Sequence, residues 1–272
     1  MYINKSKCVA RKILGYLPSA HCQGNIFLLH PNWSESLCMY VTCRVPEKVS
    51  WAQMAEALNV KWTSQCGTSK GLTEDNIYYL ACKAFRNNQL NKDDFKILQI
   101  SWSQFCREPL PDRNFTFWEW FYRLMTLTAN HLRGPWSEGF IMGFAAKMHV
   151  ENILNDMHHG TFILRFSDSE LGGVSIAYVR HDQFSKNVFS VAPFTTKDLS
   201  QRSIADSLFD LEKDLKNVFV PLPGGSYKYA ELEMFRKFSS AVQGVDRGAN
   251  NSGYVPHSLR THVTAQSEIN GK

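Results

Sequence analysis

The chain has 272 residues, 44% hydrophobic and 13% aromatic, and its 30 Lys and Arg against 25 Asp and Glu give a formal net charge of +5. That balance excludes a disordered polyelectrolyte and allows a sizeable core in one or two domains. The positive residues are scattered without a long run, which argues against a dedicated nucleic-acid arm and is compatible with a pocket for an anion.

Residues 1–45 form an unassigned N-terminal segment. IFLLH (26–30) and LCMYVTCRV (37–45) read as strands from their β-branched and aromatic content. His21, Cys22, His30, Cys38 and Cys43 fall in this segment, but their spacing matches no ordinary zinc signature, so no metal site is expected. All seven cysteines lie in the first 106 residues; an odd number at irregular spacing is a poor disulfide framework, and the chain reads as reduced and intracellular. No signal segment opens it, and no apolar run reaches the roughly 18–20 residues that span a bilayer.

Residues 46–133 read as helical. Ser50 is placed to cap a helix through Leu58, and Thr73 to cap a second with Glu74 and Asp75 in its first turn. Ile77, Leu80, Ala81 and Ala84 then share one face. Asn114 or Thr116 starts the strongest helix, with Phe117, Phe121, Leu124, Met125 and Thr128 as its stripe and Trp118, Trp120 and Tyr122 widening it. An aromatic stripe at this spacing is core rather than a ligand box.

Residues 134–240 change period. Ala145 to Leu154 reads as a helix with Lys147 near its start. Segments 161–167, 174–180 and 187–192 read as three short strands, the first two separated by the turn signal Leu171-Gly172-Gly173, and Arg202 to Leu211 as a second helix. The composition gives an α+β class. Within the first strand, Arg165 sits in the apolar run Phe162-Ile163-Leu164-Arg165-Phe166. A buried arginine without a partner is costly, so this one either meets a structural carboxylate or receives an anion from outside. Ser167 and Ser169 follow at spacing two, which in a regular strand puts both hydroxyls on the face of Arg165 and Asp168 on the other. A guanidinium beside two hydroxyls suits a phosphate, because the fork binds two oxygens at once. His158-His159 before Gly160 reads as a surface turn. No nucleophile elbow, phosphate-cradling glycine loop or His-Glu-x-x-His is present, so no catalytic residues, enzyme activity or cofactor are expected.

The string GTFILRFSDSELGGVSIAYV (160–179) strongly resembles the SH2 domain of the STAT family, the signal transducers and activators of transcription. VSWAQMAEALNVKW (49–62), GLTEDNIYYLACKAF (71–85), SWSQFCREPLPDRNFTFWEWFYRLM (101–125), WSEGFIMGF (136–144) and PFTTKDLSQRSIADSL (193–208) resemble further STAT segments in the family's order. The resemblance implies a helical linker domain over 46–133, a mechanical spacer, followed over 134–240 by an SH2 domain, a small antiparallel sheet flanked by two helices. It implies phosphotyrosine binding by Arg165, with Lys147 as a second positive charge and Ser167 and Ser169 as neutral donors.

Residues 241–272 read as a flexible polar tail. Gly253-Tyr254-Val255-Pro256 resembles the STAT activation segment, which implies phosphorylation at Tyr254 and dimerisation by reciprocal exchange of the two tails. The implied partners are phosphotyrosine peptides of receptors, a Janus-type tyrosine kinase and a STAT chain as homo- or heterodimer, with movement from cytoplasm to nucleus to regulate transcription. DNA is expected as a partner only in a full-length context, since no heptad run and no immunoglobulin-like sandwich are legible here. The other expectation is a phosphotyrosine-binding adaptor or a dominant-negative short form.

Overall fold

The computed structural model describes residues 47–181, 185–240 and the backbone of 262–263. The expectations for 1–45, the strands and imagined zinc ligands among them, lie outside the described residues, as does Tyr254.

The first part is helical around a small sheet that the pattern of helices hides. Strand β1 (Lys48–Ser50) pairs antiparallel with β2 (Gln99–Ser101), an arrangement of three-residue strands too short to carry a period. Ser50 caps α1 (Trp51–Cys66) through a reciprocal box with Gln53. The helix runs past the expected Leu58 because Trp62 and Cys66 continue its buried stripe, and it stops where Gly67 takes φ 61. Thr73 caps α2 (Glu74–Ala84), and Leu80, Ala81 and Ala84 are buried as the spacing requires. A short α3 (Trp102–Cys106) follows β2. Thr116, boxed with Glu119, begins α4 (Phe117–Leu127). The chain continues through a π-helical stretch, Thr128–Leu132, into α5 (Arg133–Ser137).

The second part is a sheet with helices on both faces. Its strands are β3 (Ile141–Gly143), β4 (Thr161–Phe166), β5 (Gly173–His181), β6 (Lys186–Ser190), β7 (Phe194–Thr195), β8 (Asn217–Pro221), β9 (Tyr227–Glu231) and β10 (His262–Val263). The main path runs β10-β6-β5-β4-β8-β9, with β3 beside β4 and β7 beside β5. The expected antiparallel trio β4, β5 and β6 forms the centre, whereas β3 and β8 run parallel to β4 and are additions. Helix α6 (Lys147–Asn155) begins two residues later than expected. The helix read over Arg202–Leu211 is the shorter α8 (Ile204–Phe209), capped by Ser203, and a further short helix that the sequence reading did not include, α7 (Thr196–Gln201), precedes it behind Thr195.

Strand β4 is buried along its whole length, and its alternation assigns two faces. Ile163 packs with Val150 and Leu154 of α6 and with Val179 and Val188. Phe162, Leu164 and Phe166 join the larger core, which runs without a break from Trp51 to Phe235. Trp62 stands at its centre, with ring centroids 5.6 Å from Phe121, 5.1 Å from Trp136, 5.4 Å from Phe144 and 5.6 Å from Phe166. The strand that carries Arg165 is thus packed on its back by rings from the helical part.

Candidate phosphate-binding site

Arg165 lies next to the last residue of β4 and is only 6% exposed. By alternation it shares the Ile163 face, toward α6. Its Nη1 donates to the carbonyls of Phe166 (3.0 Å) and of Ala145 (3.3 Å), the latter on the segment leading into α6. Nη1 is also 3.6 Å from Asp168 Oδ1. Among the described residues, every hydrogen bond of this side chain runs through Nη1. Nε and Nη2 take no such partner, which leaves the two-pronged edge that matches a pair of anionic oxygens.

The serines reach the site by a turn rather than by strand periodicity. The strand ends at Phe166, and the Ser167 N–H still donates to the Gly173 carbonyl at 2.8 Å. The chain then folds over the Ser167 hydroxyl, which accepts from the N–H groups of Ser169 (3.3 Å) and Glu170 (3.2 Å) and lies 3.2 Å from Ser169 Oγ. Ser167 is buried and Ser169 exposed, so the first shapes the turn while the second stands at its rim.

The same turn corrects the expected direction of Asp168. Because the strand does not continue, the carboxylate swings back to the Arg165 side instead of pointing away. Its Oδ2 accepts from Tyr79 (3.0 Å) and from Lys83 (3.3 Å). Burial pushes this carboxyl up, but the Arg165 and Lys83 charges and the two donated hydrogen bonds outweigh it and hold it below its ordinary value.

Lys147 opens α6, two residues after Ala145. Its Nζ is 3.6 Å from Glu151 Oε1 and the side chain is 43% exposed. Arg165 on β4 is followed directly by the turn that holds Ser167 and Ser169, and its bond to the Ala145 carbonyl brings it to the segment that leads into Lys147. His158 and His159 are in the exposed turn after α6, where His159 Nδ1 accepts from the His181 N–H at 3.1 Å. Among the described residues no three His, Cys, Asp or Glu side chains gather as a metal site, and no helix is long and apolar enough to cross a membrane.

Residues 40–121 match the family description of the signal transducer and activator of transcription linker domain, and residues 140–213 match the SH2 domain. The human protein signal transducer and activator of transcription 6 is 40% identical over 220 residues, which cover 80% of this chain and 25% of that protein. The chain belongs to the STAT family. It spans about a quarter of the length of the curated relative it matches.

In this STAT chain the helical part is the linker and the sheet with its helices is the SH2 domain. Several residues of the site escape linear reading. Ser175 is the cross-strand partner of Arg165 and is buried beside it, a neighbour visible only once the Gly172-Gly173 turn fixes the register. The linker supplies the rest. Trp120 Nε1 donates to the Ser167 carbonyl at 2.9 Å, and Arg113 Nε to the Asp168 carbonyl at 3.2 Å. Gly172 has φ +83, and a Cβ there would meet Arg123 Cβ at 3.2 Å, so the turn lies close against the linker. No signal within β4 announces these partners, because they lie 45 or more residues away in sequence.

Proposed function

We propose that this chain reads phosphotyrosine through its SH2 domain and switches by dimerisation. The observation that carries the reading is the buried Arg165, with Nε and Nη2 still open to a bidentate anion. A phosphotyrosine brings about −1.5 to −2 charges and three acceptor oxygens at pH 7. Arg165 takes two of those oxygens, Ser169 and the shaped Ser167 turn offer neutral donors, and Lys147 adds a second positive charge. An unphosphorylated tyrosine leaves the guanidinium without its anion, which is the source of discrimination.

In this reading residues 46–133 are the linker, 134–240 the SH2 domain and 241–272 the tail that carries the modification. A Janus-type kinase phosphorylates Tyr254 after the pocket docks on a phosphorylated receptor peptide in the cytoplasm. Two STAT chains then exchange tails, each phosphate entering the partner's pocket, and the pair moves to the nucleus to regulate transcription. Such an exchange uses one patch twice and makes the second contact effectively intramolecular. The function is binding, not catalysis.

The test is the mass of the chain in solution by sedimentation. Phosphorylated at Tyr254, residues 1–272 are expected to sediment as a dimer. Tyr254→Phe and Arg165→Ala, each treated with the same kinase, are expected to remain monomeric. A phosphorylated chain that binds phosphopeptide yet stays monomeric overturns the exchange and leaves an adaptor.

A further inference from the structure

The carboxylate beside Arg165 is held from the other domain. Asp168 Oδ1 lies 3.6 Å from Arg165 Nη1, longer than the roughly 2.7–2.9 Å of a tight charge-assisted hydrogen bond. Its other oxygen, Oδ2, accepts from Tyr79 at 3.0 Å and Lys83 at 3.3 Å, both on linker helix α2. The Lys83 ammonium sits 5.6 Å from the centre of the Tyr79 ring. Arg113, also from the linker, donates to the Asp168 backbone carbonyl, so side chain and main chain are both pinned. Burial, then the adjacent carboxylate, pushes the Tyr79 hydroxyl well above its ordinary value, so it remains a donor.

A carboxylate next to a phosphate-binding arginine has two opposing effects. It orients the guanidinium, and it competes with the phosphate for the same N–H groups. Which effect wins depends on where the carboxylate's charge is spent. With Oδ2 occupied by two linker donors, Asp168 steadies Nη1 without closing on the open edge of the fork.

We propose that Lys83 and Tyr79 are positioning residues of the phosphate pocket, holding Asp168 off Arg165 so that the guanidinium stays open to phosphate. The linker domain then takes part in phosphotyrosine reading rather than serving as a spacer alone. The inference depends on the phosphotyrosine reading above and adds to it a residue pair outside the SH2 domain.

The experiment is calorimetry on the whole chain with a peptide of residues Ser252–Val263 phosphorylated at Tyr254. Lys83→Met is expected to weaken binding roughly three- to tenfold, as for an ion pair largely but not wholly withdrawn from water. Lys83→Arg is expected to restore it, which a loss of packing would not allow. Tyr79→Phe, a change of one hydroxyl, is expected to weaken binding in the same direction and guards against a misfolded Lys83→Met. On an Asp168→Asn background Lys83→Met is expected to cost much less, because the carboxylate that needs holding is gone. Undiminished affinity in both Lys83→Met and Tyr79→Phe, with wild-type binding still abolished by Arg165→Ala, overturns this inference and leaves the pocket intact. A Lys83→Met loss that Lys83→Arg does not repair overturns it equally. A wild-type chain that ignores the phosphopeptide overturns the phosphotyrosine reading itself, and this inference with it.

Discussion

Burial makes Arg165 both costly and selective. At 6% exposure its charge is cut off from water, and the carbonyls of Phe166 and Ala145 satisfy only one nitrogen. In the proposed function a phosphate completes the set, so Arg165→Ala is expected to cost on the order of 2–5 kcal/mol of phosphopeptide binding. Arg165→Lys is expected to recover only part of it, because an ammonium is a point charge and lacks the two-pronged edge. Titration of both variants with one phosphopeptide checks the order. The arginine was legible in the sequence because a charge inside Phe162–Phe166 breaks an otherwise apolar run. Asp168 was not legible as its partner. A period of two extrapolated past Phe166 sends the carboxylate to the wrong face, and only the turn over the Ser167 hydroxyl brings it back.

Among the elements, the helix starts were the most readable features, since each is a local chemical signal. Ser50, Thr73 and Thr116 all cap as their side chains require. Helices α7 and α8 carry the same kind of signal in Thr195 with Asp198 and in Ser203, although only the second was read as a helix. Edge strands such as β1, β2 and β3 were not readable, because three residues hold no period. Thr116→Ala removes one half of the α4 capping box and is expected to lower stability by about 1 kcal/mol, seen as a reduced urea midpoint with an unchanged slope. Trp62→Ala empties the centre of the ring cluster and is expected to cost about 3–5 kcal/mol. It strikes both domains at once, because Trp62 packs on Phe166 as well as on Phe121.

At the scale of the whole molecule, linker and SH2 domain share one continuous core. Residues 47–240 are therefore expected to unfold in a single transition, with tryptophan fluorescence and far-ultraviolet circular dichroism coincident; two separated transitions would contradict the shared core. Acid should weaken that unit. Burial raises both Asp168 and Asp206, yet their partners hold each below the ordinary carboxylate value. Asp168 answers to Arg165, Lys83 and Tyr79, and Asp206 to Ser239, Ser240 and Ser203. A depressed folded value means that the unfolded chain binds more protons in the window between the two. The stabilisation is thus full above about 3.9 and is lost as the pH falls through the folded values. Urea midpoints measured from pH 7 down to pH 3 check the sign, and Asp206→Asn is expected to flatten the acid limb. The order of linker and SH2 domain was legible because long ordered segments resemble the family. The closeness of their union was not, since the Trp62 and Phe166 rings meet across a hundred residues of chain.

The most direct measurement is calorimetric titration of the whole chain with the peptide Ser252–Val263 in two forms, phosphorylated and unphosphorylated at Tyr254, alongside Arg165→Ala. The account predicts saturable binding of the phosphorylated form alone, lost in Arg165→Ala while that variant's melting transition stays cooperative. Equal binding of both forms, or binding that survives Arg165→Ala, would contradict the assignment of this pocket to phosphotyrosine.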